Sequence, residues 1–175
     1  RLYHNTRDLK AGVWNKAEYS KAKGIFGRTL GIIGLGNIGK EVAKRAQAFG
    51  MKVVAYDPYD KPELFAKLHI TPEPDIYTLA AMCDVITVHL PDTPQTHGLF
   101  DKKFFDAMKD GATFINTARG GLVVTKDLAE AMKTKHIRAA LDVYETEPKA
   151  NDKAFDYTPF EGAENFYGTH HIGAS

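Results

Sequence analysis

From Thr29 onward, short apolar runs rich in β-branched residues alternate with stretches of helical period. The runs TLGIIG, KVVAY, HIT, DVITVHL, ATFINTA, IRAALDV and NFYGTH read as strands. Continuous apolar strands separated by helices belong to parallel sheets covered on both faces. Between the first two runs, Ile38, Val42, Ala46 and Phe49 recur every three or four positions, which predicts a helix turning that face inward. Gly50 stands where a left-handed C-terminal cap belongs. A second helix is predicted over residues 101–109, with Phe104, Phe105 and Met108 inward and Asp110-Gly111 ending it. A third, over 126–133, carries Leu128, Ala129 and Met132. The pattern as a whole is that of an α/β fold, a doubly wound parallel sheet of the Rossmann type.

Residues 1–28 stand outside this alternation and read as a crossover helix and a covering loop ahead of the sheet domain, residues 29–175. They are rich in charge and aromatics. Trp14 and Tyr19 are expected to cover an edge of the core, the alternative being contact with another domain, because large aromatics act mainly through buried area.

The length, 175 residues, fits one sheet domain. Lys plus Arg number 23 against 22 Asp plus Glu, and the basic residues are scattered, so the footprint of a nucleic-acid binder is missing while a small anionic ligand fits. Cys83 is the single cysteine, which rules out an internal disulfide and a cysteine-built zinc site and suits a reducing, cytoplasmic setting. Met82 and Cys83 are expected in the core. No apolar run approaches the roughly 20 residues that cross a bilayer, so no membrane partner is expected.

Candidate chemistry begins at GIIGLGNIGK, where Gly34, Gly36 and Gly39 follow a strand and open a helix in the spacing G-x-G-x-x-G. The first glycine permits the tight turn, the second lets backbone approach a pyrophosphate, and the third lets helix and strand pack closely. A helix N-terminus then faces the phosphates. About 20 residues on, Asp57 ends the second strand, where a carboxylate accepts hydrogen bonds from ribose hydroxyls and repels a 2′-phosphate. The expected cofactor is therefore NAD; read alone, Asp57 is equally a turn residue before Pro58.

Three polar residues follow later strands. Arg119 in FINTARGGLV is placed to grip an anionic substrate through its planar fork, with a surface ion pair or helix cap as the alternative. Glu147 in ALDVYETEP and His171 in THHIGAS end the next two strands. A histidine beside a carboxylate can exchange one proton with an alcohol or carbonyl; a loop cap and a core histidine are the plain alternatives.

Together, TLGIIGLGNIG, VVAYDP, VHLPDTPQTHGLF, FINTARGGLV, ALDVYETEP and HHIGAS resemble the cofactor domain of the D-isomer-specific 2-hydroxyacid dehydrogenases, over nearly the whole chain. The resemblance implies Arg119 as the substrate-binding arginine, His171 as the acid-base histidine and Glu147 as its partner. It implies cofactor contacts at Gly34, Gly36, Asn37, Ile38, Gly39, Asp57, Pro58, His89, Pro91, Thr96, Thr117, Ala118, Asp142 and Ala174, with Asp142 at the nicotinamide carboxamide. No metal is implied. The substrate implied is a small 2-hydroxy or 2-oxo acid, 3-phosphoglycerate among them, and the implied assembly is a homodimer or homotetramer.

One departure is His170, which stands where the family has proline and leaves two histidines side by side. On an extended segment such neighbours point opposite ways. A second, substrate-binding domain of the family is not recognised, so the chain is expected to be a partial one, inactive without that half. An NAD-sensing corepressor of the same fold is the alternative function. Formate dehydrogenase, which pairs its histidine with glutamine, is disfavoured by Glu147.

Overall fold

The computed structural model describes residues 2–21, 24–59, 62–148 and 155–173. Helix α1 (Leu2–Lys10) and the short α2 (Lys16–Tyr19) precede the sheet. Then follow β1 (Thr29–Ile33), α3 (Asn37–Ala48), β2 (Lys52–Tyr56), α4 (Pro62–Leu68), β3 (Thr71–Pro72), α5 (Ile76–Met82) and β4 (Val85–Val88). The second half contains α6 (Lys102–Ala107), β5 (Thr113–Asn116), α7 (Thr125–Thr134), β6 (Arg138–Leu141) and β7 (Phe166–Gly168). All seven strands are parallel, in the order β3-β2-β1-β4-β5-β6-β7. The order reverses between β1 and β4, so the loops leaving those strands diverge and open a crevice at their carboxyl ends.

Strand alternation divides the interior in two. Leu30 and Ile32 of β1, with Val53 and Ala55 of β2, pack with Ala43, Ala46 and Phe65 of α3 and α4. Ile33 and Val54 point the other way, into a larger core with Leu79, Phe104, Phe105, Leu128 and Met132 of α5, α6 and α7. Four phenylalanines, Phe100, Phe104, Phe105 and Phe114, meet mostly edge to face, with ring centroids 4.8–6.2 Å apart.

The strands and the three helices read from periodicity are present, with four corrections. Of the expected inward face of α3, Val42 and Ala46 pack inward, joined by Gly39 and Ala43, whereas Ile38 and Phe49 are each 65% exposed. Only small side chains allow α3 to lie as close to β1 as the glycine loop requires: a Cβ on Gly39 would overlap the Gly34 carbonyl oxygen. Trp14 does not cover the core, being 79% exposed, while Tyr19 is half-buried with its hydroxyl donating to Asp8 Oδ2 at 2.7 Å. Cys83 is fully buried, and burial pushes its thiol up to about 12, but Met82 is 41% exposed. The third strand is not HIT but Thr71–Pro72, because His69 turns left-handed at φ 53° where α4 ends.

Helices α4 and α5 were not expected from periodicity. Asp75 caps α5, its carboxylate accepting from Thr78 N–H at 2.8 Å. The second face of the sheet is covered unevenly. Along one row of paired residues, Ala55, Ile32 and Thr87 are buried, Ile115 and Ala140 are half-buried, and Tyr167 is exposed. Among the described residues, no helix is long and apolar enough to cross a membrane, and no group of three or more His, Cys, Asp or Glu is placed to hold a metal ion.

Candidate active site

The glycine loop is built to receive a pyrophosphate. Gly34 turns at φ 100°, which only glycine adopts freely, and its N–H donates to Tyr56 O at 2.8 Å, continuing the β1–β2 ladder into the loop. Gly36 precedes α3 and has open space where a Cβ would stand. Asn37 and Ile38 begin the helix, whose first-turn N–H groups lack intrahelical acceptors; no acidic residue occupies that turn. Room, donors and the positive helix end thus coincide, and the cradle fits a dinucleotide phosphate.

Asp57 leaves β2 beside the loop. Its Oδ2 accepts from Leu35 N–H at 2.8 Å and its Oδ1 from Tyr59 N–H at 3.0 Å. The turn-residue reading thus holds: the carboxylate ties the glycine loop to the end of β2. Pro58 is exposed next to it.

Across the switch point, His89 follows β4 with its N–H on Ile33 O at 2.8 Å, and its backbone lies where a Cβ on Gly34 would come within 2.9 Å. Burial pushes its imidazole down to about 4, so the ring is neutral, with Nε2 3.2 Å from Thr87 Oγ1. Pro91 and Thr96 bracket the next loop. The Thr96 hydroxyl donates to Pro91 O at 2.7 Å and accepts from Thr93 N–H at 2.9 Å, so it closes the loop on itself.

After β5, Asn116 is fully buried, its amide donating to Arg119 O at 2.8 Å and its Oδ1 accepting from Ala118 N–H at 3.0 Å. This side chain shapes the turn through exposed Thr117 and half-buried Ala118 and sets Arg119 at its end. The Arg119 guanidinium is exposed, its Nη1 donating to Ala118 O at 2.6 Å. Among the described residues it has no carboxylate partner, so the surface ion-pair reading does not apply.

The next two strand ends meet directly. Glu147 Oε2 lies 2.9 Å from His171 Nδ1, with the carboxylate one-third and the imidazole half exposed. The loops of β5, β6 and β7 are laced at the same end of the sheet by Asp142 N–H to Asn116 O and Thr169 N–H to Leu141 O, both 3.0 Å. Arg119, Glu147 and His171 therefore leave adjacent strands on one edge.

His171 sits at φ 55°, so the histidine segment bends where an extended one was expected, and the alternation argument for the two rings fails. His170 is exposed and without a side-chain hydrogen bond among the described residues. Asp142, 5% exposed, holds the bend: Oδ1 accepts from the Thr169 hydroxyl at 2.6 Å and Ile172 N–H at 3.0 Å, and Oδ2 from Gly173 N–H at 2.8 Å. Against its burial, the Thr169 hydroxyl first and the two N–H groups with it keep its carboxyl below the usual range. Ala174 lies outside the described residues.

Asn116, Thr169 and Tyr144 were not singled out from sequence. An Asn ending the apolar run ATFIN is a usable signal for the first; nothing local marks the others. A cavity of about 1190 Å³ lies at the opposite, amino ends of the strands, lined by Asp84, Lys109, Ala112 and Arg138 among others, away from these loops.

Residues 1–173 match the family model described as D-isomer specific 2-hydroxyacid dehydrogenase, NAD binding domain. The chain is 42% identical over 171 residues to D-3-phosphoglycerate dehydrogenase of Methanocaldococcus jannaschii, covering 97% of this chain and 31% of that protein. It is also 42% identical to hydroxypyruvate reductase of Thermotoga maritima over 171 residues, 97% of this chain and 53% of the relative. The crystal structure of D-lactate dehydrogenase from Aquifex aeolicus complexed with NAD and lactic acid superposes with a TM-score of 0.86 at 31% identity, over 98% of this chain and 54% of that one. The chain thus spans 31% to 54% of the length of these relatives. With the switch-point crevice, the glycine cradle and this match along its length, the chain belongs to the D-isomer specific 2-hydroxyacid dehydrogenase family, as its NAD-binding domain.

Proposed function

We propose that the complete protein carrying this domain interconverts a D-2-hydroxy acid and its 2-oxo acid, with Arg119, Glu147 and His171 as the reacting set. The observation that carries this reading is the 2.9 Å contact between Glu147 Oε2 and His171 Nδ1 on the sheet edge that also presents Arg119. The family model and the NAD-bound relative support NAD as cofactor. NAD supplies the acceptor for the hydride that leaves C2. Gly34, Gly36 and Gly39, with Asn37 and Ile38, would hold its pyrophosphate, and Asp57 its ribose. Pro58, His89, Pro91, Thr96, Thr117, Ala118, Asp142 and Ala174 are the remaining proposed contacts.

Arg119 binds the substrate carboxylate, which fixes C2 and its oxygen. Glu147 holds the His171 proton on Nδ1, so Nε2 carries a lone pair and accepts the proton of the C2 hydroxyl. The imidazolium formed is stabilised by the same carboxylate. In the reverse direction His171 returns that proton to the carbonyl oxygen. D-3-Phosphoglycerate and hydroxypyruvate, named for the relatives above, are the first substrates to try. We further propose a cytoplasmic homodimer or homotetramer without nucleic-acid or membrane partners, residues 1–28 serving as the crossover segment ahead of 29–175; exposed Ile38, Phe49 and Trp14 supply apolar surface for such contacts.

The test is His171→Ala in the complete protein. Turnover is expected to fall by about 10²–10⁴, the range of general acid-base catalysis, with NAD affinity unchanged. Retained turnover would remove His171 from the reaction.

A further inference from the structure

Tyr144 follows β6 and touches every loop of the reacting set. Its N–H donates to Glu147 Oε1 at 3.0 Å, leaving Oε2 for His171. Its hydroxyl lies 2.9 Å from the carbonyl oxygen of Thr169, two residues before His171, and 3.3 Å from that of Leu141. Its own carbonyl lies flush against Gly120, the neighbour of Arg119, where any Cβ would overlap it. Gly168 is equally tight, a Cβ there coming 2.5 Å from the Tyr144 hydroxyl oxygen. The ring is anchored edge-on against Phe155, with centroids 4.7 Å apart. Burial raises the phenol above its ordinary value, so the hydroxyl remains a donor across the working pH range.

These contacts have one geometric consequence. Glu147 and His171 are 24 residues apart and sit on separate loops. Tyr144 is the residue bonded to both loops, through its backbone to Glu147 and through its side chain to the stretch leading into His171. The left-handed backbone of His171 is a conformation that persists only when its surroundings over-determine it. Asp142 fixes the segment from below and the Tyr144 hydroxyl fixes it at Thr169. A tyrosine supplies this with a single oxygen, where phenylalanine would fill the same space and leave the Thr169 carbonyl without that donor.

We propose that Tyr144 is a positioning residue, its hydroxyl holding the His171 loop in register with Glu147 while its backbone seats the Arg119 turn. The role rests on the dehydrogenase reading for its effect on turnover, but its effect on His171 does not depend on that reading. The test is Tyr144→Phe in the complete protein, with two measurements. The tautomer of the neutral His171 ring is read from its 15N NMR shifts, and the share carrying the proton on Nδ1 is expected to fall, because a looser Glu147 contact no longer holds the proton there. For NAD-dependent oxidation of D-3-phosphoglycerate, kcat is expected to fall about tenfold, near the upper end for one neutral hydrogen bond. KM for NAD is expected to stay unchanged.

An unmoved His171 tautomer ratio overturns the proposal, whatever happens to thermal stability or NAD affinity. A tautomer ratio that moves in a protein oxidising no 2-hydroxy acid leaves Tyr144 in its role and removes the dehydrogenase reading instead. Should Tyr144→Phe not fold, Gly168→Ala crowds the same hydroxyl and is read by the same 15N shifts, with the same two outcomes.

Discussion

His89 closes the switch point as a neutral ring, and that has a cost in acid. Its midpoint is about 4 in the folded chain because of burial, against about 6.5 when exposed. Between these values the unfolded chain binds more protons, so stability is full above pH 6.5 and is lost as pH falls toward 4, by at most about 3 kcal/mol. Asp142 acts lower on the scale: with its folded value depressed, its contribution is present above about pH 3.9 and lost below it. Urea unfolding across pH should therefore weaken in two stages, and His89→Gln should flatten the first while sparing the second. An unchanged slope between pH 6.5 and 4 in that variant would mean that His89 protonates freely in the folded chain. Order along the chain puts Glu147 and His171 at two successive strand ends, but their pairing comes from the family resemblance, since separation in sequence shows no contact. The clasp at Asp142 could not be anticipated, since its three donors lie 27 to 31 residues downstream and depend on a backbone bend at His171 that no local pattern announces.

For whole elements, period and packing part company at α3. The ends of its apolar repeat, Ile38 and Phe49, face outward, while Val42 and Ala46 of the same repeat pack inward beside Gly39 and Ala43. Hydrophobicity identified the helix, but the distance to β1 decided which face is inside, and that distance is set by Gly39 against the Gly34 carbonyl. Gly39→Ala is accordingly expected to cost about 1–3 kcal/mol by overpacking and to weaken NAD binding, because the added methyl pushes the helix end out of line with the loop. Ile38→Ala, at an exposed position, should change stability by no more than about 0.5 kcal/mol. Denaturant midpoints of the two variants test the comparison, and a larger loss for Ile38→Ala would reverse the assignment of faces. The missed helices, α4 and α5, are seven residues each, too short to display two turns of periodicity. Their signals were at the ends, Pro62 at a first position and Asp75 at a cap, where turn chemistry speaks before pattern does.

At the level of the molecule, binding and catalysis separate. The glycine loop, Asp57 and the β4 loop around His89 belong to one sheet and are held by that sheet's own ladder, through Gly34 N–H to Tyr56 O and His89 N–H to Ile33 O. Nothing in this cradle waits on another body, so the 175-residue chain alone should bind NAD. Arg119 and His171, by contrast, present exposed or half-exposed side chains at the rim, where water competes for every bond a substrate makes. Turnover by this chain alone is therefore expected to be slight, since water-excluded surroundings are what make such charges effective. Calorimetry should give a saturable NAD isotherm at or below about millimolar, −4 kcal/mol of binding or better. NADP should bind at least about tenfold more weakly, because its 2′-phosphate meets the Asp57 carboxylate. Equal affinity for the two would show that Asp57 serves only to tie Leu35 to the end of β2, and an isotherm without saturation would mean that the cradle needs a second body to form after all.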